Sequence, residues 1–195
     1  MSLQHKLSHW IYSILSYMPD FTHAPFFHDW ISQTRALVLA WQPNKIIGKQ
    51  VKIGRSCKIS IRTTIKIGNG TILKDNISIS GDFQIGEGSL IQAQTTIDAS
   101  GKVRIGSKTQ VGRNNTIFSH NHDISRKDIP VLESPEVFKE VEIGDDVMLF
   151  SRVAIMPGVH ISNGVVVGYG SVITSNLHAY GIYAGIPARQ IGTRQ

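Results

Sequence analysis

Aliphatic side chains recur every six residues over most of this chain. The positions are Ile47, Ile53, Ile59, Ile67, Leu73, Ile79, Ile85, Ile91, Ile97, Ile105, Val111, Ile117, Ile143, Leu149, Ile155, Ile161, Val167 and Ile173. Glycine often follows directly, and a small or branched residue often stands four positions later. A fixed short period of this kind indicates a solenoid built from stacked repeats.

A period of six matches neither an α-helix nor an alternating strand, but it fits a short strand followed by a bend. Three such units close a triangular coil, and stacked coils pair edge to edge at about 4.8 Å. The pattern therefore predicts a mainly β solenoid of about six triangular coils over residues 45–192. Two extra residues separate Ile59 from Ile67 and Ile97 from Ile105, and we expect both inserts to form corner bulges.

The segment 119–142 interrupts the repeat and is predicted to leave the solenoid as a loop. It contains Ser119-His120-Asn121-His122-Asp123 and two prolines. A long loop on a regular scaffold often carries function. Two histidines in an exposed loop can also be simple solvated residues.

Residues 1–44 do not follow the six-residue rule and form a separate N-terminal appendage. Apolar residues at helical spacing predict two helices, separated by the segment Pro19–Pro25. They are Leu7, Trp10, Ile11, Ile14, Leu15 and Met18 in the first helix, and Phe27, Trp30, Ile31, Val38 and Trp41 in the second. We expect the appendage to pack on the open first coil and hide its unpaired strand edge. The alternative is weak association with a membrane surface.

Composition limits the compartment and the partners. The 195 residues carry a formal charge of +6, yet the basic residues form no run and no nucleic-acid-binding motif, so nucleic acid is not expected as a partner. The single cysteine, Cys57, occupies a small-residue corner position and is predicted to be a core residue. No apolar stretch is long enough to span a membrane, and no signal peptide is recognisable. We expect a cytoplasmic protein, with peripheral contact at the inner face of the membrane as the alternative.

The hexads, the His120 loop and the ending Ala184-Gly185-Ile186-Pro187-Ala188-Arg189 resemble the hexapeptide-repeat acyltransferases of left-handed parallel β-helix fold. Within that family, the chain is similar to sugar O-acetyltransferases, including those that modify bacterial capsule and O-antigen polysaccharides. The resemblance covers about residues 45–192. It implies a left-handed coil, a homotrimer, acetyl-CoA bound between neighbouring prisms as acyl donor, a saccharide acceptor and no metal.

The resemblance also implies the catalytic residues. A loop histidine that matches His120 removes the proton from the acceptor hydroxyl as it attacks the thioester, which suits a neutral imidazole. His122 is the rival candidate. A backbone carbonyl or Asp123 is expected to accept a hydrogen bond from the other ring nitrogen of His120. Asn121 and Met148 are expected beside the substrate pocket. At the position of Met148 the family often has tryptophan.

Residues of the last coils are expected to bind coenzyme A. By position, they are Ser151, Gly168, Tyr169, Thr174, Ala184, Gly185, Ile186, Pro187 and Arg189. The family often has lysine after the threonine that matches Thr174, but this chain has Ser175. One phosphate contact is therefore expected either to be missing or to come from a lysine or arginine elsewhere, such as Arg152 or Arg194.

Three alternatives to saccharide O-acetylation remain open at the level of sequence. The first is N-acetylation of an amino sugar, which the matching residues do not separate from O-acetylation. The second is a zinc carbonic anhydrase on the same fold. Catalytic zinc needs three protein ligands, and two histidines that stand only two positions apart, His120 and His122, do not provide such a set. The third is a β-helical scaffold without catalysis, which would have no need of the histidine loop.

Overall fold

The structure is a computed structural model that describes residues 3–17, 25–60 and 63–195. The predicted separator at 19–24, Met18 and the insert at 61–62 lie outside the described residues. Two helices begin the chain, α1 (Leu3–Tyr17) and α2 (Pro25–Ala40). Within the described ranges, no helix is long and apolar enough to cross a membrane.

Short strands make up the rest of the fold. In chain order they are β1 (Lys45–Ile47), β2 (Lys52–Ile53), β3 (Lys58–Ile59), β4 (Ile65–Ile67), β5 (Ile72–Leu73), β6 (Ser78–Ile85), β7 (Leu90–Ile91), β8 (Thr96–Ile105), β9 (Gln110–Val111), β10 (Thr116–Phe118), β11 (His120–His122), β12 (Glu136–Phe138), β13 (Val141–Ile143), β14 (Met148–Leu149), β15 (Ala154–Ile155), β16 (His160–Ile161), β17 (Val166–Val167), β18 (Val172–Ile173), β19 (Gly181–Ala184) and β20 (Arg189–Thr193). A 3-10 turn spans Val131–Glu133 in the loop.

The strands stack in parallel as three faces of a β-helix, which confirms the predicted fold class. Face 1 contains β1, β4, β13 and β16, together with the C-terminal ends of β6 and β8. Face 2 contains β2, β5, β7, β9, β14, β17 and β19. Face 3 contains β3, β10, β15 and β18, together with the N-terminal starts of β6 and β8. Aliphatic residues pair with aliphatic residues of the next coil, as Ile79 does with Ile97.

The repeat positions form the hydrophobic core. All of the eighteen aliphatic residues except Ile47 are buried. Each contributes about 1.5–3 kcal/mol through burial. Because one coil cannot bury its own inner face, the stability arises from stacking of neighbouring coils.

The β-helix extends one coil beyond the six that the hexads predict. Leu177 bridges to Ile161 on face 1, and Tyr183 pairs with Val167 on face 2. On the third side, the N–H of Ala188 donates to Val172 O at 2.8 Å. The spacing from Ile173 to Leu177 is four rather than six, so the last coil does not fit the hexad pattern.

The second predicted insert is a corner bulge, as expected. Ser80 pairs with Asp98 and Gly81 with Ala99, after which Phe83 pairs with Val103. Residues 100–102 of β8 therefore stand opposite the single residue 82 of β6. Because of this bulge, the corner that follows face 3 is wider at Asp98 than in the coil before.

The two helices cover the open edge of the first coil. The fully buried Arg35 of α2 donates from Nε to Leu15 O at 2.8 Å and from Nη1 to Ile53 O at 3.2 Å. The N–H of Ser56 donates to Ser16 O at 2.7 Å. These bonds satisfy backbone groups that a terminal coil would otherwise leave unpaired.

Cys57 lies in the core beneath α1 and is expected to be chemically inert in the folded protein. Burial is the main cause that raises the pKa of its thiol to about 11, and its Sγ lies 3.1 Å from Lys74 O. Only about one thiol in 10³ would be ionised near pH 8, and the thiolate is the reactive form. We expect dithionitrobenzoate to label no thiol in native protein and one per chain in guanidinium chloride. Rapid stoichiometric labelling of the native protein would contradict this placement.

Candidate functional site

The loop 119–142 begins and ends as a two-stranded ribbon. Strand β11 pairs antiparallel with β12, so His120 lies opposite Phe138 and His122 opposite Glu136. The rings of His120 and Phe138 are 6.2 Å apart between centroids. The N–H of Lys139 donates to Ser119 O at 2.8 Å and closes the base of the ribbon. Both candidate histidines are therefore held on a hydrogen-bonded strand rather than on a free loop.

His120 contacts a carboxylate from the coil below. Its Nδ1 lies 2.8 Å from Asp98 Oδ2, and the two side chains are 29% and 19% exposed. Nδ1 is buried, and the contact does not have the alignment of a hydrogen bond, so among the described residues it is a close approach of the imidazole to a carboxylate. The other carboxylate oxygen, Oδ1, accepts from the N–H and hydroxyl of Ser100 at 2.9 and 2.6 Å. Asp98 is thus fixed with Oδ2 towards the imidazole.

Ser119 joins the two corners that carry Asp98 and His120. Its hydroxyl donates to Asp98 O at 2.8 Å and accepts from the N–H of Gly101, also at 2.8 Å. The side chain is fully buried. Because Ser119 directly precedes His120, this contact fixes the backbone from which the imidazole extends.

Asp123 does not occupy the orienting position that the sequence suggested. Its Oδ1 accepts from the N–H and hydroxyl of Ser125 at 2.9 and 2.6 Å. These bonds hold the pKa of Asp123 below its ordinary value. The carboxylate in contact with His120 belongs to Asp98, which sequence reasoning missed. The repeat itself carried a signal for Asp98. Asp98 and Phe118 each directly follow the aliphatic residue of face 3 in successive coils, so the repeat places Asp98 at the corner where the chain leaves for His120.

His122 has a different partner. Its Nδ1 lies 3.1 Å from Ser134 O, a backbone carbonyl, so this nitrogen is the protonated one when the ring is neutral. Asn121 is exposed, and its Oδ1 accepts from the N–H of His122 at 2.9 Å. Both histidines could therefore present Nε2 as a base. Of the two, His120 has a carboxylate as its Nδ1 contact and His122 has a backbone carbonyl.

The residues expected to bind coenzyme A fall on two corners. Ser151, Tyr169 and Gly185 follow face 2 in successive coils, and the N–H of Gly170 donates to Ser151 O at 3.0 Å. Thr174 follows face 3, on the same side of the β-helix as Asp98 and His120. We call these the Ser151 corner and the His120 corner. They are the two edges of face 3.

The Ser151 corner has the character of a site for an anionic ligand. The guanidinium of Arg152 lies 5.7 Å from the centre of the exposed Tyr169 ring. Arg113, one coil below, is exposed, and its N–H donates to Ser151 Oγ at 3.1 Å. A Cβ added to Gly170 would meet nothing within 4 Å, so a ligand can approach the backbone there.

The ending of the chain places the remaining candidates at the top of this corner. Ile186 is exposed, and the N–H of Val172 donates to Gly185 O at 3.0 Å. Arg189 is exposed as well. Arg194, in contrast, bonds Asp146 Oδ2 and Gly164 O, each at 2.9 Å. Of the two arginines suggested to replace the missing lysine, Arg152 is therefore the better placed.

Above the first coil, whose outward residue is Lys58, face 3 presents small side chains outwards. In register, they are Ser78, Thr96, Thr116, Ala154 and Val172. Face 1 carries charged or long side chains at the equivalent places, such as Arg104, Glu142 and His160. Face 3 therefore leaves room for a ligand between the two corners.

A groove of about 370 Å³ lies where α1 meets the N-terminal end of face 3. Its lining includes His9, Ser13, Ser60 and Ser80. The backbone of Ser80 pairs with that of Asp98, so the groove ends one coil below the Asp98–His120 pair. Hydroxyl and imidazole groups in such a groove can hydrogen-bond a polar molecule that reaches His120.

Met148 is not brought to His120 within one chain. It lies on the outer side of face 2, between Gln110 and Val166. The outer side of this face is mostly apolar. In register, its residues are Ile72, Leu90, Gln110, Met148, Val166 and Ile182. Across the described ranges, no group of three histidine, cysteine or acidic residues is placed to hold a metal ion.

Comparison with known proteins agrees with this architecture. The family described as bacterial transferase hexapeptide (six repeats) matches residues 140–175. WbbJ of Escherichia coli (strain K12), whose name assigns it to O-acetyl transfer in lipopolysaccharide biosynthesis, is 34% identical over 97 residues, 46% of this chain and 49% of WbbJ. The chain spans about half, or less, of the length of the first curated relatives that it matches.

Solved structures match more of the chain. AntD, an N-acyltransferase from Bacillus cereus in complex with dTDP and 3-hydroxybutyryl-CoA, superposes with a TM-score of 0.69 at 27% identity, over 76% of this chain and 82% of AntD. The hexapeptide-repeat acetyltransferase VCA0836 from Vibrio cholerae, complexed with acetyl-CoA, has the same fold, with a TM-score of 0.66 at 17% identity over 98% of this chain and 87% of VCA0836. Residues 140–175 thus match the bacterial transferase hexapeptide repeat, and the chain is similar in sequence and fold to bacterial acyltransferases.

Proposed function

We propose that this protein transfers an acetyl group from acetyl-CoA to a hydroxyl group of a saccharide. The observation that carries the proposal is the contact between His120 Nδ1 and Asp98 Oδ2, at the edge of an open face with small side chains. An imidazole whose Nδ1 faces a carboxylate can present Nε2 as a base near neutral pH. The similarity to acyltransferases supports the reaction class.

In the proposed reaction, Nε2 of His120 accepts the proton of the acceptor hydroxyl. The oxygen forms a bond to the thioester carbonyl carbon, and the carbon–sulfur bond then breaks as the tetrahedral intermediate collapses. The imidazolium returns the proton to the departing thiolate. Asp98 stabilises the imidazolium while it carries the positive charge. No covalent enzyme intermediate is required.

The Ser151 corner is proposed to bind the donor. Arg152 and Arg189 would pair with phosphate groups, and Gly170 would let the pantetheine arm approach the backbone. Gly168 would border the arm less directly, because the space beside its Cα is occupied by Ala184 of the next coil. Thr174, at the His120 corner, would contact the arm near the thioester. Ala184, Gly185, Ile186 and Pro187 would border the arm at the last coil.

The acceptor is proposed to enter through the groove between α1 and face 3. Serine hydroxyls on its mostly apolar lining can hydrogen-bond a saccharide, and its upper end lies next to Asp98. The similarity to WbbJ supports a role in bacterial surface polysaccharide biosynthesis. Asn121, exposed beside His120, would contact the acceptor from the loop.

N-acylation of an amino sugar is the second candidate. It is favoured by the similarity to AntD, which is an N-acyltransferase and was solved with dTDP bound. The two reactions share a donor and a base. They are separated by offering matched acceptors, a nucleotide-linked amino sugar and a neutral oligosaccharide, and by measuring thiol release with each one. Turnover with the amino sugar alone would replace the O-acetyl proposal.

We propose a homotrimer as the working assembly. The mostly apolar outer side of face 2, from Ile72 to Ile182, would be covered by a neighbouring copy. Such packing could also bring Met148 of one copy towards the His120 corner of another. Light scattering at increasing concentration tests this, and a monomeric mass under assay conditions would contradict it.

The substitution Asp98→Asn is expected to lower kcat by about 10²-fold, because the imidazolium then loses its carboxylate partner. KM for acetyl-CoA should change little, since Asp98 is remote from the Ser151 corner. Glu87→Gln, an exposed corner carboxylate elsewhere on the prism, is the control. A kcat for Asp98→Asn within about twofold of the wild type would contradict the orienting role.

A further inference from the structure

The helical appendage leaves a stripe of large apolar side chains exposed. On α1 the exposed residues are Leu7, Trp10, Ile14 and Tyr17, and on α2 they are Trp30 and Leu37. Trp41, which is also exposed, directly follows the end of α2 at Ala40. Both sets recur at helical spacing and therefore share one side of their helix. The opposite sides pack inwards through Tyr12 of α1 and Leu39 of α2. The exposed side is thus additional to the surface that covers the first coil.

The positive charge of the chain is concentrated at the same end. Residues 1–74 contain ten lysines and arginines against two acidic residues, a net charge of +8. Residues 75–195 contain ten basic and twelve acidic residues, a net charge of −2. The formal charge of +6 therefore hides a strong asymmetry along the chain.

Lysines of the first two coils surround the end that the helices cover. Lys49, Lys58, Lys66 and Lys74 are exposed. They lie on different sides of the β-helix, since Lys58 belongs to face 3 and Lys66 to face 1. They belong to the two coils nearest the helices, so their charges add to the positive potential at this end of the β-helix.

We propose that this end of the β-helix docks on the surface of an anionic phospholipid bilayer. Tryptophan, tyrosine and leucine side chains of the stripe would enter the headgroup region, where amphipathic aromatic rings are favoured. The helices carry few basic residues of their own, and the lysines of the adjacent coils supply the attraction to anionic headgroups. A second copy of the same end would bring two charges of +8 together, so self-association fits this surface less well.

Co-sedimentation of the full chain with vesicles tests the proposal without acetyl-CoA or acceptor, so its result does not depend on the proposed reaction. We expect at least about tenfold tighter binding to vesicles that contain phosphatidylglycerol than to pure phosphatidylcholine. Molar salt should weaken this binding, because it screens exposed charges.

Paired variants separate the two contributions. Trp10→Gln with Trp41→Gln should weaken binding at least about tenfold, whereas Tyr180→Gln with Ile191→Gln, equally exposed at the other end, should not. Lys49→Glu with Lys66→Glu should also weaken binding, but Lys108→Glu with Lys127→Glu should have little effect. Thermal melting establishes that each variant remains folded.

Three results would overturn the proposal. They are absence of vesicle binding, equal binding to neutral vesicles, and binding that the Trp10 and Trp41 variant retains in full. If that variant instead lowers the oligomeric mass in light scattering while the wild type ignores vesicles, the stripe is an interface between copies of this chain.

Discussion

Replacing His120 with asparagine is expected to reduce kcat for acetyl transfer by about 10²–10⁴-fold, the usual contribution of a general base. Asparagine keeps a similar polar volume but has no basic nitrogen near neutral pH. The melting temperature should change little, because the fixed part of this corner is Ser119, whose bonds to Asp98 and Gly101 remain. Thiol release from acetyl-CoA, measured at saturating acceptor, gives kcat directly.

His160→Asn is the matched control. This histidine also contacts a carboxylate, with Nδ1 3.0 Å from Glu142 Oε2, but it lies on face 1, away from both corners of face 3. Its replacement should leave kcat within about twofold of the wild type. His122→Asn tests the rival base. Full activity of His120→Asn together with an inactive His122→Asn would move the proton transfer to His122.

The substitution Gly81→Ala is expected to cause the largest loss of stability of any substitution considered for this chain. Gly81 has φ +83°, and a Cβ there would overlap the carbonyl group of Ala99 in the next coil. The left-handed backbone alone costs about 1–2 kcal/mol. Since the overlapping atoms are backbone in a paired strand, the total should exceed about 3 kcal/mol, or roughly 10 °C in melting temperature.

Gly70→Ala separates backbone strain from crowding. Gly70 has a similar φ of +66°, but a Cβ there would meet nothing within 4 Å. Its replacement should therefore cost only the strain, about 1–2 kcal/mol. Calorimetric melting of both variants measures the difference. Equal melting temperatures would show that the coils do not approach at Gly81 as closely as described. Ala99 follows Asp98, so Gly81→Ala should also disturb the His120 corner.

The fold could be predicted from sequence because one local rule is repeated. An aliphatic residue every six positions identifies the inward side of each strand, and stacking of identical units determines the register. This rule also places the loop at 119–142 outside the prism. It fails at Leu177, where the spacing shortens to four, so the last coil was not expected.

The candidate site was less predictable, because its groups come from different coils. The contact between His120 and Asp98 joins residues 22 positions apart. It depends on the bulge at 100–102 as well as on the 18-residue coil. Asp123, the nearer carboxylate in sequence, lies in its own turn with Ser125. The groove beside α1 depends on tertiary packing that helical spacing alone does not specify.

Calorimetric titration of the purified protein with acetyl-CoA tests the donor assignment without knowledge of the acceptor. Saturable binding at about one acetyl-CoA per chain, weakened at least about tenfold by Arg152→Glu through loss of a charged phosphate contact, is the predicted result. Absence of binding at millimolar acetyl-CoA would contradict acyl transfer at this face and would favour a β-helical scaffold without catalysis.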